Sequence, residues 1–305
     1  MNILEIEDLY KSFGSNNIIN GLNLKVKENT IFGFIGENGA GKTTTMKMIL
    51  GFLKPDKGQI KVCGEKVTYG ETKTNRFIGY LPDVPEYYGY MTAGEYLKLC
   101  GEITGMSKKE ILLKSDELLE LVGLSEYKKK KISKFSRGMK QRLGIAQALL
   151  NQPKLLICDE PTSALDPIGR KEILDILLKV KEKTTVIFST HILSDVERIC
   201  DEIAILRDGK IVLNGTLSQI RANHIVDCLE VSFKNKDDFE QFINIFNNNN
   251  LMDIITHENT IYIHSNNIEK VQREVMEGLI NSNLYPLCIK LQEPTLERLF
   301  LEAVR

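Results

Sequence analysis

The chain has 305 residues, of which 42% are hydrophobic and 27% charged, and a formal net charge of −1. These values are typical of an ordinary soluble protein with one large and one small domain, and they favour neither nucleic acid as a partner nor a disordered chain. No apolar run reaches the roughly 18 residues that a membrane-spanning helix needs. The six cysteines are widely spaced and the four histidines do not cluster, which predicts free thiols in a reducing cytosol and excludes a zinc site or a disulfide framework.

The first part of the chain is predicted to contain strands that lead into a helix. Residues 2–27 are predicted to form short antiparallel strands, with turn signals at residues 14–17 and at Asn20-Gly21. The apolar run at residues 31–35 indicates a buried strand, and residues 43–50 indicate a helix. Further strands are predicted at residues 59–63, 77–81, 154–158, 185–189, 203–206 and 210–213. Strands that alternate with helices predict an α/β fold with a mixed, largely parallel sheet and an antiparallel β subdomain.

A helical insertion is predicted at about residues 84–152. Thr92 and Glu95 have the spacing of a capping box, which predicts a helix that ends near Thr104. Apolar residues at helical spacing predict a second helix over residues 107–122 and a third over residues 136–150.

The tail is predicted to be a small α+β domain. Its predicted elements are a strand, a helix, two strands, a helix and a strand, followed by a last helix from Pro294. This β-α-β-β-α-β order indicates a ferredoxin-like unit, and it carries no recognisable catalytic residues. The chain is therefore predicted to divide into residues 1–220 and an accessory domain at residues 221–305.

Residues 36–43 have the spacing Gly-x-x-x-x-Gly-Lys-Thr between a predicted strand and a predicted helix. The glycines allow successive N–H groups to point at a phosphate, and the helix N-terminus adds a partial positive charge there. Lys42 would reach the β- and γ-phosphates, Thr43 would bind Mg²⁺, and Thr44 would assist on the phosphate side. The predicted nucleotide-binding residues of this loop are Gly36, Glu37, Asn38, Gly39, Ala40, Gly41, Lys42, Thr43 and Thr44. This motif predicts that the chain binds a nucleoside triphosphate.

Three further candidate residues follow predicted strands. Asp159 and Glu160 end an apolar strand, and ligands bind at the carboxyl ends of parallel strands. We expect Asp159 to hold Mg²⁺ through its water shell, and Glu160 to activate or orient the attacking water. The alternative is a strand followed by a solvated acidic turn. His191 would stabilise charge at the γ-phosphate, or would be a structural hydrogen-bonding residue.

The third helix of the insertion has an unusual first turn. Ser136 is a good N-cap, and Gly138 would let a phosphate approach the backbone closely. Arg137 and Lys140 place positive charge at a helix N-terminus, which is unfavourable unless an anion binds there. The segment is either a capped helix with a basic first turn or a second phosphate-binding element.

The order of these motifs resembles the nucleotide-binding subunit of an ABC transporter, over residues 1 to about 220. The resemblance implies a P-loop NTPase fold that binds and hydrolyses ATP with Mg²⁺, and two copies paired head to tail. Each ATP would then lie between the phosphate loop of one copy and residues 136–139 of the other. By position, Phe13 resembles the aromatic residue that stacks on adenine, and Asp166 the residue that communicates across the dimer.

Two motifs depart from the family pattern. The usual Leu-Ser-Gly-Gly-Gln is Phe-Ser-Arg-Gly-Met at residues 135–139, which retains Ser136 and Gly138. We expect a working half-site in which Arg137 adds charge toward the partner's γ-phosphate. The family's Gln after Tyr-Leu-Pro is Asp83, which would approach the Mg²⁺ water shell but repel phosphate oxygens at close range, and which we expect to act as a coupling-loop residue.

The resemblance implies an ATPase subunit that energises a separate integral membrane permease, on the cytoplasmic face of the cell membrane. The two departures and the tail resemble exporters of drug, peptide-antibiotic or sodium type, and residues 83–105 would contact the permease. One alternative is a soluble ATPase of the same superfamily that acts on ribosomes or DNA; near-neutral charge and the lack of tandem ATPase halves argue against it. Another is a nucleotide-gated regulatory module, against which Glu160 and His191 argue. No nucleic-acid partner is expected.

Overall fold

The computed structural model describes residues 1–71, 73–222, 228–246, 253–265, 267–292, 296–297 and 299–300. The chain divides into two units, Met1–Leu217 and Ser218–Arg305. None of the helices in the described part of the chain has the length and apolar character that crossing a bilayer requires.

The first unit contains ten strands among its described residues. They are β1 (Asn2–Phe13), β2 (Asn16–Lys27), β3 (Ile31–Ile35), β4 (Lys57–Val62), β5 (Glu65–Lys66), β6 (Ile78–Leu81), β7 (Leu155–Asp159), β8 (Thr185–Thr190), β9 (Glu202–Arg207) and β10 (Lys210–Thr216). Its helices are α1 (Lys42–Ile49), α2 (Ala93–Ile103), α3 (Lys108–Leu121), α4 (Arg137–Leu149), α5 (Pro167–Val180) and α6 (Leu193–Ile199), with 3-10 turns at Lys73–Phe77, Ser125–Tyr127 and Ile132–Lys134. Helix α7 (Leu217–Ala222) follows β10.

The antiparallel start is built from long strands rather than the short ones predicted. β1 and β2 pair over 12 residues each in a sheet of order β2-β1-β4-β5. The predicted turn at Asn20-Gly21 is wrong, because both residues lie inside β2. Gly21 has φ of +74°, and the register shifts on either side of Leu9 in the facing strand. A β-bulge therefore uses the glycine to bend a continuous strand.

The central sheet brings three strand ends to one edge. Its order is β10-β9-β3-β8-β7-β6, parallel throughout except for the antiparallel β9–β10 pair. Ile35 at the end of β3 lies opposite Thr190, and Asp159 at the end of β7 lies opposite Ser189. The phosphate loop, Asp159 and His191 consequently meet at the carboxyl edge of the sheet. The predicted α/β fold with a mixed sheet, an antiparallel subdomain and a helical insertion is confirmed.

The helices of the insertion begin where their caps predict. The Thr92 hydroxyl accepts a hydrogen bond from the Glu95 amide, and the Glu95 carboxylate accepts one from the Thr92 amide, which completes the capping box of α2. Helix α4 packs closely on β6, since a Cβ on Gly144 would lie 2.5 Å from Leu81 Cδ1. This contact holds the middle of α4 against Leu81 at the carboxyl end of β6.

The second unit has its own strands, helices and core. Its elements are β11 (Cys228–Ser232), α8 (Lys236–Phe246), β12 (Asp253–His257), β13 (Thr260–His264), α9 (Ile268–Asn281) and β14 (Cys288–Gln292). All described pairs in the sheet β12-β13-β11-β14 are antiparallel, and the β-α-β-β-α-β order agrees with the ferredoxin-like prediction. β14 begins only at Cys288, because Asn283 has φ of +54° and Pro286 has no N–H to donate to a sheet. Pro294, where a last helix was predicted, lies outside the described residues.

Candidate active site

A pocket of about 390 Å³ opens at the carboxyl edge of the central sheet. It brings together residues from five separate stretches of the chain, and all of them except Ile18 were predicted from the sequence. The lining residues are Phe13, Ile18, Glu37, Asn38, Gly39, Gly41, Lys42, Thr43, Thr44, Asp83, Asp159 and Glu160.

The loop between β3 and α1 has a shape that suits an anion. Gly41 has φ of +108°, and a Cβ there would lie 2.5 Å from Ile19 Cδ1, so a side chain would both strain the backbone and clash. Gly39 also has positive φ, and the space beside it is open among the described residues. Within the described chain, no side chain caps the N-terminus of α1. The first-turn amides and the positive end of the helix dipole are therefore left to a ligand.

Lys42 is held in place by the loop it belongs to. Its side chain is only 6% exposed, and Nζ donates hydrogen bonds to the carbonyl oxygens of Gly36 at 2.6 Å and Glu37 at 3.3 Å. Nζ also lies 3.4 Å from Oε1 of Glu160. A buried ammonium group needs such partners. The loop thus orients a positive charge at the floor of the pocket.

Asp159 is fixed by two hydroxyl groups. The Thr43 hydroxyl donates to Oδ2 at 2.8 Å, and the Ser189 hydroxyl donates to Oδ1 at 2.6 Å. Asp159 and Ser189 are both buried. Ser189 was not predicted as a site residue. It could have been found from its place in the sequence, because it lies two residues before His191, near the carboxyl end of β8, which is adjacent to β7.

Glu160 adopts a backbone conformation that is uncommon for a residue with a side chain. Its φ is +48°, and its amide donates to the Ser189 hydroxyl at 3.0 Å. Its Oε2 lies 3.0 Å from His191 Nδ1. Its Oε1 is buried and has no hydrogen-bond partner among the described residues. A buried carboxylate oxygen that accepts no hydrogen bond is costly even with the Lys42 ammonium 3.4 Å away, and a water or substrate donor in the pocket would supply that bond.

The residues present fit Mg²⁺ with a nucleotide. Thr43 and Asp159 offer the hard oxygen ligands that Mg²⁺ prefers. In the part of the chain that the structure describes, no three His, Cys, Asp or Glu residues form a metal cluster.

Asp83 lies at the pocket edge but is turned toward the helical insertion. Its Oδ1 is 3.8 Å from the Arg137 guanidinium, and its backbone oxygen accepts a hydrogen bond from Gln141 at 2.9 Å. Burial raises the pKa of Asp83 above the usual aspartate range, and the negative charges of Asp159 and Glu160 add to the rise, while Arg137 opposes it. The predicted approach of Asp83 to a metal stays a prediction.

Ser136, Gly138 and Asp166 lie outside the pocket lining. Ser136 caps α4 by accepting from the Met139 amide at 3.2 Å, and Asp166 caps α5 by accepting from the Gly169 amide at 3.3 Å. A Cβ on Gly138 would meet only Leu165 Cδ2, at 3.9 Å, among the described atoms. The Ser136 and Asp166 segments are therefore neighbours.

Three more predicted residues differ in their positions relative to the pocket. His191 does not line it but reaches it through Glu160, and its side chain is half exposed. The amide of Ala40 donates to the Glu37 carbonyl inside the phosphate loop. Phe13 lines the pocket with its ring about half exposed, and Lys11 Nζ lies 5.3 Å from the ring centre. An exposed aromatic face beside a phosphate site can stack on a base.

Comparison with known proteins shows which family the chain belongs to. The family model described as ABC transporter matches residues 19–163. The chain is 46% identical to the bacitracin transport ATP-binding protein BcrA of Bacillus licheniformis, over 69% of this chain and 68% of that one. It is 35% identical to the linearmycin resistance ATP-binding protein LnrL of Bacillus subtilis (strain 168), over 98% of this chain and 97% of that one.

A solved ATP-binding subunit of an ABC transporter matches with a TM-score of 0.66 and 34% identity, over 72% of this chain and 92% of that one. The predicted resemblance is confirmed, as is the P-loop NTPase fold that it implied. The chain belongs to the ABC transporter ATP-binding proteins, the subunits that bind and hydrolyse ATP to power transport.

Proposed function

We propose that this chain hydrolyses ATP at the described pocket to drive an exporter, and that two copies close around the nucleotide. The observation that carries the proposal is that Lys42, Asp159 and Glu160 line one pocket. Lys42 donates to the Gly36 carbonyl and lies 3.4 Å from Glu160, and Asp159 accepts from the Thr43 hydroxyl. A phosphate-binding lysine, a metal-binding carboxylate and a second carboxylate beside them are the groups that phosphoryl transfer to water requires.

The loop and its helix would bind the triphosphate, with Lys42 on the β- and γ-phosphates. Thr43 and Asp159 would hold Mg²⁺, which supplies a Lewis acid that neutralises developing charge on the phosphate oxygens. Glu160 would accept the proton of the attacking water through Oε1, its oxygen without a hydrogen-bond partner among the described residues. His191 Nδ1 lies 3.0 Å from the other carboxylate oxygen, which it would position, and its ring would face the γ-phosphate.

Ser136, Arg137 and Gly138 would act on the nucleotide of a second copy. They lie at the N-terminus of α4, outside the pocket lining of their own chain, and Arg137 is exposed. The open space beside Gly138 would let a phosphate approach the backbone of this first turn, where Ser136 already accepts from the Met139 amide. Asp166, in the neighbouring segment, would then lie at the same dimer interface.

The permease would bind at the start of the helical insertion. A groove of about 360 Å³ lies between residues 84–89 and 132–140, and Tyr88 and Tyr90 beside it are 54% and 69% exposed. Exposed aromatic residues next to a groove are typical of protein interfaces. Docking there would place the chain on the cytoplasmic face of the membrane. The relatives named for bacitracin transport and linearmycin resistance favour export of an antibiotic.

Two measurements test the exporter proposal. Tagged chain purified from detergent-solubilised membranes of its own cells should bring down an integral membrane protein, identified by mass spectrometry. Cells that lack the chain should become more sensitive to bacitracin or linearmycin, and a plasmid copy should restore resistance. Unchanged sensitivity to both antibiotics without a membrane partner would contradict the exporter role and leave the ATPase role intact.

Replacement of Ser189 by alanine tests the support of the two carboxylates. Its hydroxyl donates a hydrogen bond to Asp159 Oδ1 and accepts one from the Glu160 amide. Loss of the hydroxyl therefore leaves the Asp159 carboxylate and the Glu160 backbone less well oriented. Loss of such a supporting residue costs roughly ten- to a hundredfold in metal affinity or activity. We expect lower ATPase turnover and a higher Mg²⁺ requirement in steady-state assays. The exposed Ser125→Ala variant is the control, and equal turnover in both variants would remove Ser189 from the site.

A further inference from the structure

Asp83 and Arg137, one from each of the two motifs that depart from the family pattern, lie next to each other. The Arg137 guanidinium lies 3.8 Å from Asp83 Oδ1, and both side chains are about half exposed. Asp83 Oδ1 has no hydrogen-bond partner among the described residues, so Arg137 provides its nearby counter-charge. Asp83 also lines the nucleotide pocket, whereas Arg137 begins α4. One ion pair thus joins the pocket edge to the segment expected to meet the partner's nucleotide.

The backbone around this pair is tied to α4. Gln141 Nε2 donates to the Asp83 carbonyl at 2.9 Å, and the Tyr87 hydroxyl donates to the Lys140 carbonyl at 2.7 Å. These two bonds hold residues 83–87 against the helix without using the Asp83 carboxylate. The carboxylate is therefore free to act on Arg137 alone, and its loss should leave the backbone attachment in place.

The ion pair is weak enough to exchange. At 3.8 Å it is too long for a hydrogen bond. Asp83 Oδ1 itself is buried, but the two side chains are about half exposed, and ion pairs open to solvent contribute about 0.2–1 kcal/mol. A phosphate offers an arginine two or more charged oxygens in a bidentate arrangement and binds it more strongly. Arg137 can consequently leave Asp83 when a phosphate comes within reach.

We propose that Asp83 is a positioning residue that holds Arg137 beside its own pocket, and that Arg137 must leave Asp83 to contact the partner's nucleotide. This rests on the proposed head-to-tail dimer. Asp83 then raises the ATP concentration needed for closure, because the pair is broken as the dimer forms. The Asp83 carboxylate thereby shifts closure of the dimer to higher ATP concentrations.

The test is a double-mutant cycle in the Glu160→Gln background, in which the closed dimer should accumulate. The ATP concentration for half-maximal dimerisation is measured by analytical ultracentrifugation for the parent, Asp83→Asn, Arg137→Gln and the double variant. Asp83→Asn should lower it roughly two- to fivefold, the range that an exposed ion pair supplies. Arg137→Gln should raise it, because it also removes the contact with phosphate. The two single variants therefore shift it in opposite directions.

The double variant separates the pair from simple repulsion. If Asp83 acts through Arg137, Asp83→Asn should have no effect once Arg137 is glutamine. An equal effect in both backgrounds would show that the carboxylate merely repels ATP and would overturn the inference. Asp83→Glu keeps the charge and should resemble the parent; a shift as large as that of Asp83→Asn would also contradict it.

The outcome for the parent distinguishes failure of the dimer proposal from failure of the proposed role of the Asp83–Arg137 pair. If the Glu160→Gln parent does not dimerise with ATP, the dimer proposal fails and this inference fails with it. If the parent dimerises but the cycle shows no coupling between positions 83 and 137, only the inference is overturned.

Discussion

Replacing Glu160 by glutamine is expected to lower ATP hydrolysis by roughly 10²- to 10⁴-fold while ATP binding is retained, because the substitution removes a general base. Glutamine keeps the size of the side chain but loses its charge, and its amide cannot accept the proton of the attacking water. The oxygen affected is Oε1, which is buried in the pocket wall without a described hydrogen-bond partner. Phosphate release measured under saturating ATP reports the loss, and titration with a fluorescent ATP analogue reports the retained binding.

The surface variant Glu182→Gln is the matched control for this experiment. Glu182 is an exposed glutamate of the same unit, so the same chemical change there should leave turnover unaffected. If Glu160→Gln hydrolysed ATP at the parental rate, Glu160 would not be the base. A loss of ATP binding as large as the loss of turnover would instead show that Glu160 maintains the pocket.

Replacing Lys42 by methionine is expected to weaken ATP binding by roughly ten- to a hundredfold, the range for losing a charged hydrogen-bond partner. Methionine keeps the length and apolar stem of lysine but removes the ammonium that the Gly36 and Glu37 carbonyls orient. It also leaves Glu160 without the positive charge 3.4 Å away. Equilibrium titration with the ATP analogue measures the change in dissociation constant.

Lys47→Met is the control, since Lys47 lies on the same helix with its side chain exposed. We expect parental affinity from that variant. Retained affinity in Lys42→Met would contradict the proposed phosphate contact. Lys42→Met and Glu160→Gln together separate binding from chemistry. Lys42→Met should bind the nucleotide weakly, whereas Glu160→Gln should bind it and fail to hydrolyse it.

Local features of the site could be predicted from the sequence because they depend on short-range chemistry. The spacing of Gly36, Gly41 and Lys42 requires only a turn followed by a helix start, and the structure has that turn between β3 and α1. The capping box at Thr92 and the cap at Ser136 each involve residues three positions apart, and both are present. Such contacts form within one turn of chain, so the residues themselves specify them.

The bounds of a strand were less predictable where a turn-like sequence formed a β-bulge inside the strand and did not end it. Asn20-Gly21 has the composition of a hairpin turn, but pairing with β1 continues past it. The hydrogen bonds of a 12-residue strand pair outweigh one local turn preference, and a bulge accommodates the glycine. Pairing with β1 determined that the strand continues, and the residues around Asn20-Gly21 do not by themselves indicate that pairing.

By itself, the sequence determined the type of ligand, since the phosphate loop and the acidic strand end at Asp159-Glu160 specify nucleotide chemistry in a few residues each. Only the tertiary structure decided which distant residues complete the site. Thr43 meets Asp159 across 116 positions, and Ser189 meets Asp159 across 30, because β3, β8 and β7 are adjacent in the sheet. Likewise, Arg137 pairs with Asp83 because α4 packs on the end of β6. The physical reason is that strand order and helix packing depend on the burial of the whole core, which is shared among residues far apart in sequence.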